Sequence, residues 1–248
     1  MILRQYLHTD PVVAISYLFG CAGHAAGGVV DPVGDPEVYL DAAAELGLRL
    51  HYVLDTHVHA DHLSPGRELA AAAGAKYVLH ASAETRFPYH PVHDGDILSL
   101  GNVTAWVLHV PGHTPEHLAL AVMDRTRAPE PWFLFTGHTL MAGDMGRTEL
   151  ASSLEEGARA LFRSAERLRM LPDYMEVLPG AFAGSVCGRG LSGKPSSTIG
   201  FERRHNRAFS LTDEESFVRL MRAEIPPRPE GAWEIRAANL GVPQPVAA

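Results

Sequence analysis

Three histidines and an aspartate crowded into six residues, His57-Val58-His59-Ala60-Asp61-His62, constrain this chain more than any other feature. On a loop, this spacing lets imidazole nitrogens and a carboxylate converge, the donor set that a borderline transition metal takes. The flanking residues predict such a loop. His51 to Leu54 is a short apolar strand leading in, and Ser64-Pro65 starts an Ala-rich helix that ends near Gly74. Any one histidine taken alone reads as a hydrogen-bonded surface residue, but four donors at this spacing favour a metal site. A second element, Val110-Pro111-Gly112-His113-Thr114-Pro115, follows a predicted strand and puts His113 on a tight turn whose backbone direction Gly and Pro set.

The rest of the pattern alternates strands and helices. Strands are predicted at Val12 to Phe19, Val29 to Val30, Tyr77 to Leu79, Ile97 to Leu100, Val103 to Val110, Leu118 to Val122 and Trp132 to Phe135. A helix capped at Asp35, with Pro36 in its first turn, closes at Gly47. Ser153 and Glu156 form a capping box for a helix whose apolar positions Leu154, Ala158, Leu161, Phe162, Ala165 and Leu168 keep helical spacing. Thr212 and Glu215 repeat that signature, and Pro226-Pro227 stops what reads as the last helix, followed by a Pro-rich tail. No repeat or low-complexity linker divides the 248 residues, so the expectation is one domain over 1–248.

Composition narrows the partners. Acidic residues outnumber basic ones 29 to 21 with no Lys/Arg-rich block, which argues against nucleic acid or an anionic membrane and for a small-molecule substrate. Two cysteines, Cys21 and Cys187, make no disulfide framework, and neither a leader segment nor a membrane-spanning run is recognisable. A cytoplasmic location is the resulting expectation.

With both histidine motifs in view, the chain resembles the metallo-β-lactamase superfamily, in its glyoxalase II and persulfide dioxygenase branch. Phe135-Thr136-Gly137-His138-Thr139-Leu140 and Gly143-Asp144-Met145-Gly146-Arg147 resemble that branch's following segment, in which an Asp stands at the position of His138. Pro179-Gly180, Gly184-Ser185-Val186-Cys187-Gly188 and Ser196-Ser197-Thr198-Ile199-Gly200 are similar to bacterial persulfide-dioxygenase-like members. The resemblance implies an α/β fold, an αββα sandwich of two mixed sheets between helices with metal at one edge. It also implies that His57, His59 and His113 form one metal site, and that Asp61 and His62 contribute to a second. The bridging Asp and the late His of the dinuclear hydrolases correspond to His138 and Ala181, so one metal is expected. The mononuclear persulfide dioxygenases are similar at His57, His113 and His138, with His replacing Asp in the third position. Asp61 and His62, with His59, then orient the ligands of that single metal.

The resulting leading expectation is a mononuclear non-haem enzyme, with Fe(II) favoured and Zn(II) as the alternative, that oxidises a small thiol or persulfide such as a glutathione derivative. One rival is a zinc hydrolase of a thioester or lactone in which Asp61 is the catalytic group that positions or deprotonates water. Another is a non-catalytic descendant that keeps the fold as a ligand-binding scaffold. Arg147 can bind an anionic part of a substrate or tie its loop together. Cys187 can hold sulfur if its thiolate is accessible, and Arg203, in the Arg203-Arg204-His205 cluster, can recognise a carboxylate. Asp144 reads as structural. The remaining histidines lack ligand spacing, although His117 lies near His113. A homo-oligomer is left open.

Overall fold

The computed structural model describes residues 1–242. Its first half runs β1 (Ile2–His8), β2 (Ala14–Cys21), β3 (Ala26–Val30), α1 (Glu37–Glu45), β4 (Arg49–Leu54), α2 (Gly66–Ala73), β5 (Lys76–His80) and β6 (His90–Val92). The second half runs β7 (Ile97–Leu100), β8 (Val103–His109), β9 (Leu118–Asp124), β10 (Phe133–Gly137), a small hairpin of β11 (Leu140–Met141) and β12 (Asp144–Met145), α3 (Leu154–Arg169), β13 (Glu176–Pro179), β14 (Ser197–Thr198), α4 (Ile199–His205), α5 (Glu214–Ala223) and α6 (Ala232–Asn239).

Two six-stranded mixed sheets form, one ordered β1-β2-β3-β4-β5-β6 and the other β14-β13-β10-β9-β8-β7. Strand alternation decides what each face buries. Ile15, Tyr17 and Phe19 of β2 meet Leu118, Leu120, Val122, Phe133 and Phe135 between the sheets. The intervening Leu18 and Val29 turn outward onto Tyr39 of α1 and Leu69 of α2. Ala119, Ala121 and Leu134 turn outward onto Leu161 and Phe162 of α3 and Phe217 of α5. Both faces of the central strands are therefore dry, which is why β2, β9 and β10 read as mainly apolar runs. The four layers are helix, sheet, sheet, helix, as the family resemblance implies.

The capping box holds at α3, where Ser153 Oγ accepts from the Glu156 amide and donates to its carboxylate at 2.6 Å. Each of Leu161, Phe162 and Leu168, buried on that helix, contributes about 1.5–3 kcal/mol. Two expectations are corrected. The cap of α5 is Asp213, whose carboxylate accepts from the Ser216 amide, and not Thr212 one residue earlier. The segment after Pro226-Pro227 is not all tail, because α6 follows it, and only residues 243–248 of the Pro-rich end lie outside the described residues. Among the described residues no helix is long and apolar enough to cross a membrane.

Topology places the site. Strands β3 and β4 run parallel in one sheet, and β10 and β13 run parallel in the other. Their C-terminal ends lead into Asp31, the His57–His62 loop, His138 and the 180–188 loop. The turn between β8 and β9 brings His113 to the same edge.

Candidate metal centre

His57, His113 and His138 each offer a ring nitrogen, and the three lie within 4.8 Å of one another. All three side chains are buried. His113 Nε2 is 3.3 Å from His138 Nδ1, close to the about 3.4 Å that separates two nitrogens bound tetrahedrally to one zinc at about 2.0–2.1 Å. A second group, His59, Asp61 and His62, adjoins the first, with the His57 and His59 rings 4.2 Å apart. Asp61, His138 and Cys187 also come within 4.8 Å of one another.

Neighbouring residues fix which nitrogen of each ring is bare. Thr56 has one hydroxyl proton, and it goes to Asp31 at 2.9 Å, so the Thr56 oxygen accepts from His57 Nδ1–H at 3.0 Å. That leaves the His57 Nε2 lone pair buried without a partner. His113 Nδ1–H donates to the Arg147 carbonyl at 2.8 Å, which bares its Nε2. His62 Nδ1–H donates to Asp61 at 3.0 Å, and its Nε2 is again buried and unpartnered. His59 Nε2–H points at Asp31 at 3.3 Å, and its Nδ1, without a hydrogen bond, faces Asp61 Oδ1 at 3.6 Å. Buried nitrogens without partners are costly. Imidazoles held through their other nitrogen by a carboxylate, hydroxyl or carbonyl are what metal sites use. The residues present therefore fit one transition metal.

Electrostatics agree. Burial, reinforced by neighbouring imidazoles, pushes His57 and His113 well below the ordinary histidine range, so both are neutral donors. His138 is lowered too, with burial the largest cause. Burial opposes charge on His59, but the Asp31 carboxylate, hydrogen-bonded to Nε2, and the Asp61 carboxylate facing Nδ1 at 3.6 Å outweigh it and raise that ring, so a metal at Nδ1 would have to displace the added proton. Burial alone would raise Asp61. The neighbouring His62, which donates to it, and the facing His59 instead hold its carboxyl well below the usual range. Burial and then the Asp61 charge push the Cys187 thiol well above the ordinary value, and its Sγ lies 3.8 Å from Asp61 Oδ2.

His117 is not a ligand, although it is buried beside them and stacks on His57 at 4.8 Å. Thr139 gives its hydroxyl proton to the Val110 carbonyl, so His117 Nδ1–H donates to Thr139 Oγ1 and Nε2 accepts the His138 amide at 3.0 Å. Both its nitrogens are used, and it sets the backbone from which His138 projects. Asp31, Thr56 and Glu116, which orient these loops, carried no spacing signal and only the fold identifies them. Gly180 makes room for the His138 ring, because a Cβ there would stand 3.0 Å from His138 Cδ2. Ala181, buried beside it, offers no donor.

Two expected substrate residues are used elsewhere. Arg147 is buried and donates to Glu149, to the Val186 carbonyl and to the carbonyls of Pro226 and Pro227. Its five donors are committed to tying loops together. Arg203 binds Asp173 and the carbonyls of Arg169 and Leu171, at the junction of α3 and α4. Asp144 is structural as expected, held by the Arg189 fork. A surface groove of about 520 Å³ under Trp132 and Tyr174 includes none of the metal-site residues.

The metallo-beta-lactamase superfamily model matches residues 16–180, which span every histidine of the site. Over 163 residues the chain is 39% identical to a hydroxyacylglutathione hydrolase of Methylococcus capsulatus, covering 65% of this chain and 59% of that one. It thus spans about three fifths of that relative's length. A metallo-beta-lactamase crystal structure from Staphylococcus aureus superposes with a TM-score of 0.90 at 32% identity, covering 98% of this chain and 73% of the other. ETHE1 from Myxococcus xanthus superposes at 0.83 with 28% identity, covering 98% and 100%. On its histidine loops, its four-layer fold and these matches, the chain belongs to the metallo-beta-lactamase superfamily.

Proposed function

We propose that the chain is a mononuclear metal-dependent oxidoreductase acting on the sulfur of a small thiol or persulfide, with Fe(II) held by His57, His113 and His138. The observation that carries this reading is the donor set. Three neutral imidazoles offer nitrogens within 4.8 Å of one another, while the resemblance puts His138 and Ala181 at the positions of the family's bridging carboxylate and late imidazole. A bound iron supplies the redox chemistry with dioxygen that no side chain can provide. An all-imidazole set adds no negative charge and so favours the ferrous ion. The likeness to ETHE1 supports the same branch.

The protein's own part is orientation and exclusion of water. Asp31 through Thr56 holds His57, and the Arg147 carbonyl holds His113. Asp61, charged and with its side chain 1% exposed, lies where it can accept a hydrogen bond from an entering thiol or persulfide and orient it. Cys187 remains a neutral thiol at the wall of the site.

Protein loaded anaerobically with Fe(II) and mixed with glutathione persulfide is expected to consume oxygen and release sulfite. Absence of both from fully loaded protein, across small thiols and persulfides, would overturn the reading.

One observation favours a second reading. Asp61 and His62 keep their orientation beside His59, and the 39% identical relative is a hydrolase of hydroxyacylglutathione. A single zinc with Asp61 aligning water for attack on a thioester fits that retained group. Zinc retained through purification in metal-free buffers, with thioester turnover and no oxygen uptake, would decide for it.

A further inference from the structure

The two ligand-bearing loops meet directly at Glu116, and that contact is braced by α6, outside the family-matched residues 16–180. Glu116, between His113 and His117, is 2% exposed and accepts the Val58 amide on Oε1 at 2.9 Å. Arg236 of α6 donates from Nη1 to the Val58 carbonyl at 2.7 Å and to Glu116 Oε1 at 3.1 Å, and from Nη2 to Glu116 Oε2 at 3.1 Å. Both backbone polar groups of Val58, the residue between His57 and His59, are thus held by this one ion pair.

One turn along α6, Asn239 repeats the arrangement on the other half of the loop. Its Nδ2 donates to the carbonyls of His59 and His62, each at 2.9 Å, and its Oδ1 accepts the Ser64 amide at 3.1 Å. Every hydrogen-bonding direction is consistent with one amide orientation. Ala232 joins Ala60 of the loop and Leu150 in one small apolar cluster, a further link between α6 and the loop.

We infer that Glu116, Arg236 and Asn239 are positioning residues of the metal centre: α6 clamps the His57–His62 loop onto the His113 turn and sets the aim of their ring nitrogens. The physical argument is one of entropy and register. A loop carrying three imidazoles and a carboxylate that repel or compete when misdirected binds metal tightly only if its backbone is fixed beforehand. Here the carbonyls of Val58, His59 and His62 are fixed by donors from a single rigid helix. The guanidinium fork suits the bidentate contact to Glu116, which a lysine cannot reproduce. The inference rests on the metal site and not on which reaction the metal performs.

The test is metal binding by the full chain, read by competition with a chromophoric chelator and by the visible spectrum of the Co(II)-substituted protein. Asn239→Ala is expected to weaken binding about 10–100-fold and to change the cobalt spectrum. Removing Arg236 alone leaves a buried charge, so the second variant is Glu116→Gln with Arg236→Met, which removes the pair together. It is expected to recover folding relative to Arg236→Met while still binding metal about 10–100-fold more weakly. Arg236→Lys is expected to fall between it and the wild type. Wild-type affinity and spectrum in folded Asn239→Ala and in the folded double variant would overturn the inference, whatever happens to their melting temperatures. So would failure of both to fold, which would make the clamp part of the fold. A wild type that takes up no metal would sink the metal site itself.

Discussion

His138 Nδ1 faces His113 Nε2 across 3.3 Å, and these two rings come from segments that share no strand. Without a metal, His138 donates a hydrogen bond to the bare nitrogen of His113. With one bound between them, both nitrogens could serve as donors, which is the role proposed for His138.

His138→Ala should cost more metal affinity than the about 10–100-fold typical of losing a group that only orients a ligand. His138→Asp should restore stoichiometric binding. Metal content after dialysis against a chelator checks both, and retention of metal by His138→Ala would remove His138 from the ligand set.

Thr56→Val keeps the shape of the side chain but takes away the oxygen that His57 Nδ1–H needs. The buried donor left unmade should cost about 1–3 kcal/mol of stability. Metal affinity should fall about 10–100-fold as the ring loses its fixed tautomer. Denaturant unfolding of the metal-free chain, set beside chelator competition, separates the two effects.

Stability should depend on pH through His80, outside the metal site. Burial, followed by His109 stacked on it at 3.8 Å and by His93, pushes His80 down to about 4. As pH falls through about 6.5 the unfolded chain takes up a proton that the folded chain refuses until about 4. This contribution is fully present above about 6.5, is lost across that window and levels off below it. His80→Asn should flatten the slope there, so the stability gap between wild type and variant should narrow on acidification. A gap that stays constant with pH would remove His80 from the account.

Arg147→Met should act on stability and not on substrate affinity. It strands Glu149 and leaves three carbonyls without their donor, a loss of about 3 kcal/mol. Thermal unfolding should register it. A raised KM with unchanged stability would instead give Arg147 a substrate role.

Much of this was legible beforehand because it is local. The apolar runs of β2, β9 and β10, the Ser153–Glu156 capping box and the crowding of His57, His59, Asp61 and His62 depend on neighbours a few residues away, and each appears in the structure close to where the pattern puts it. Where a local rule had two near-equivalent solutions it could mislead: Thr212 and Asp213 both suit a helix start, and the structure uses Asp213.

The sequence by itself determined which donors exist and that several of them share one loop. Only the tertiary structure decided which rings share a point, because His57, His113 and His138 meet only when the two sheets pack face to face and bring their loops to one edge. It also decided which nitrogen of each ring is bare, since the proton on His57 is fixed through Thr56 by Asp31 and that on His113 by the Arg147 carbonyl, 26 and 34 residues away. Arg147 and Arg203 were lost as substrate residues for the same reason: an arginine's donors go to whatever carbonyls and carboxylates folding brings within reach. Spacing along a chain records which groups are available, and packing determines which of them remain unpaired.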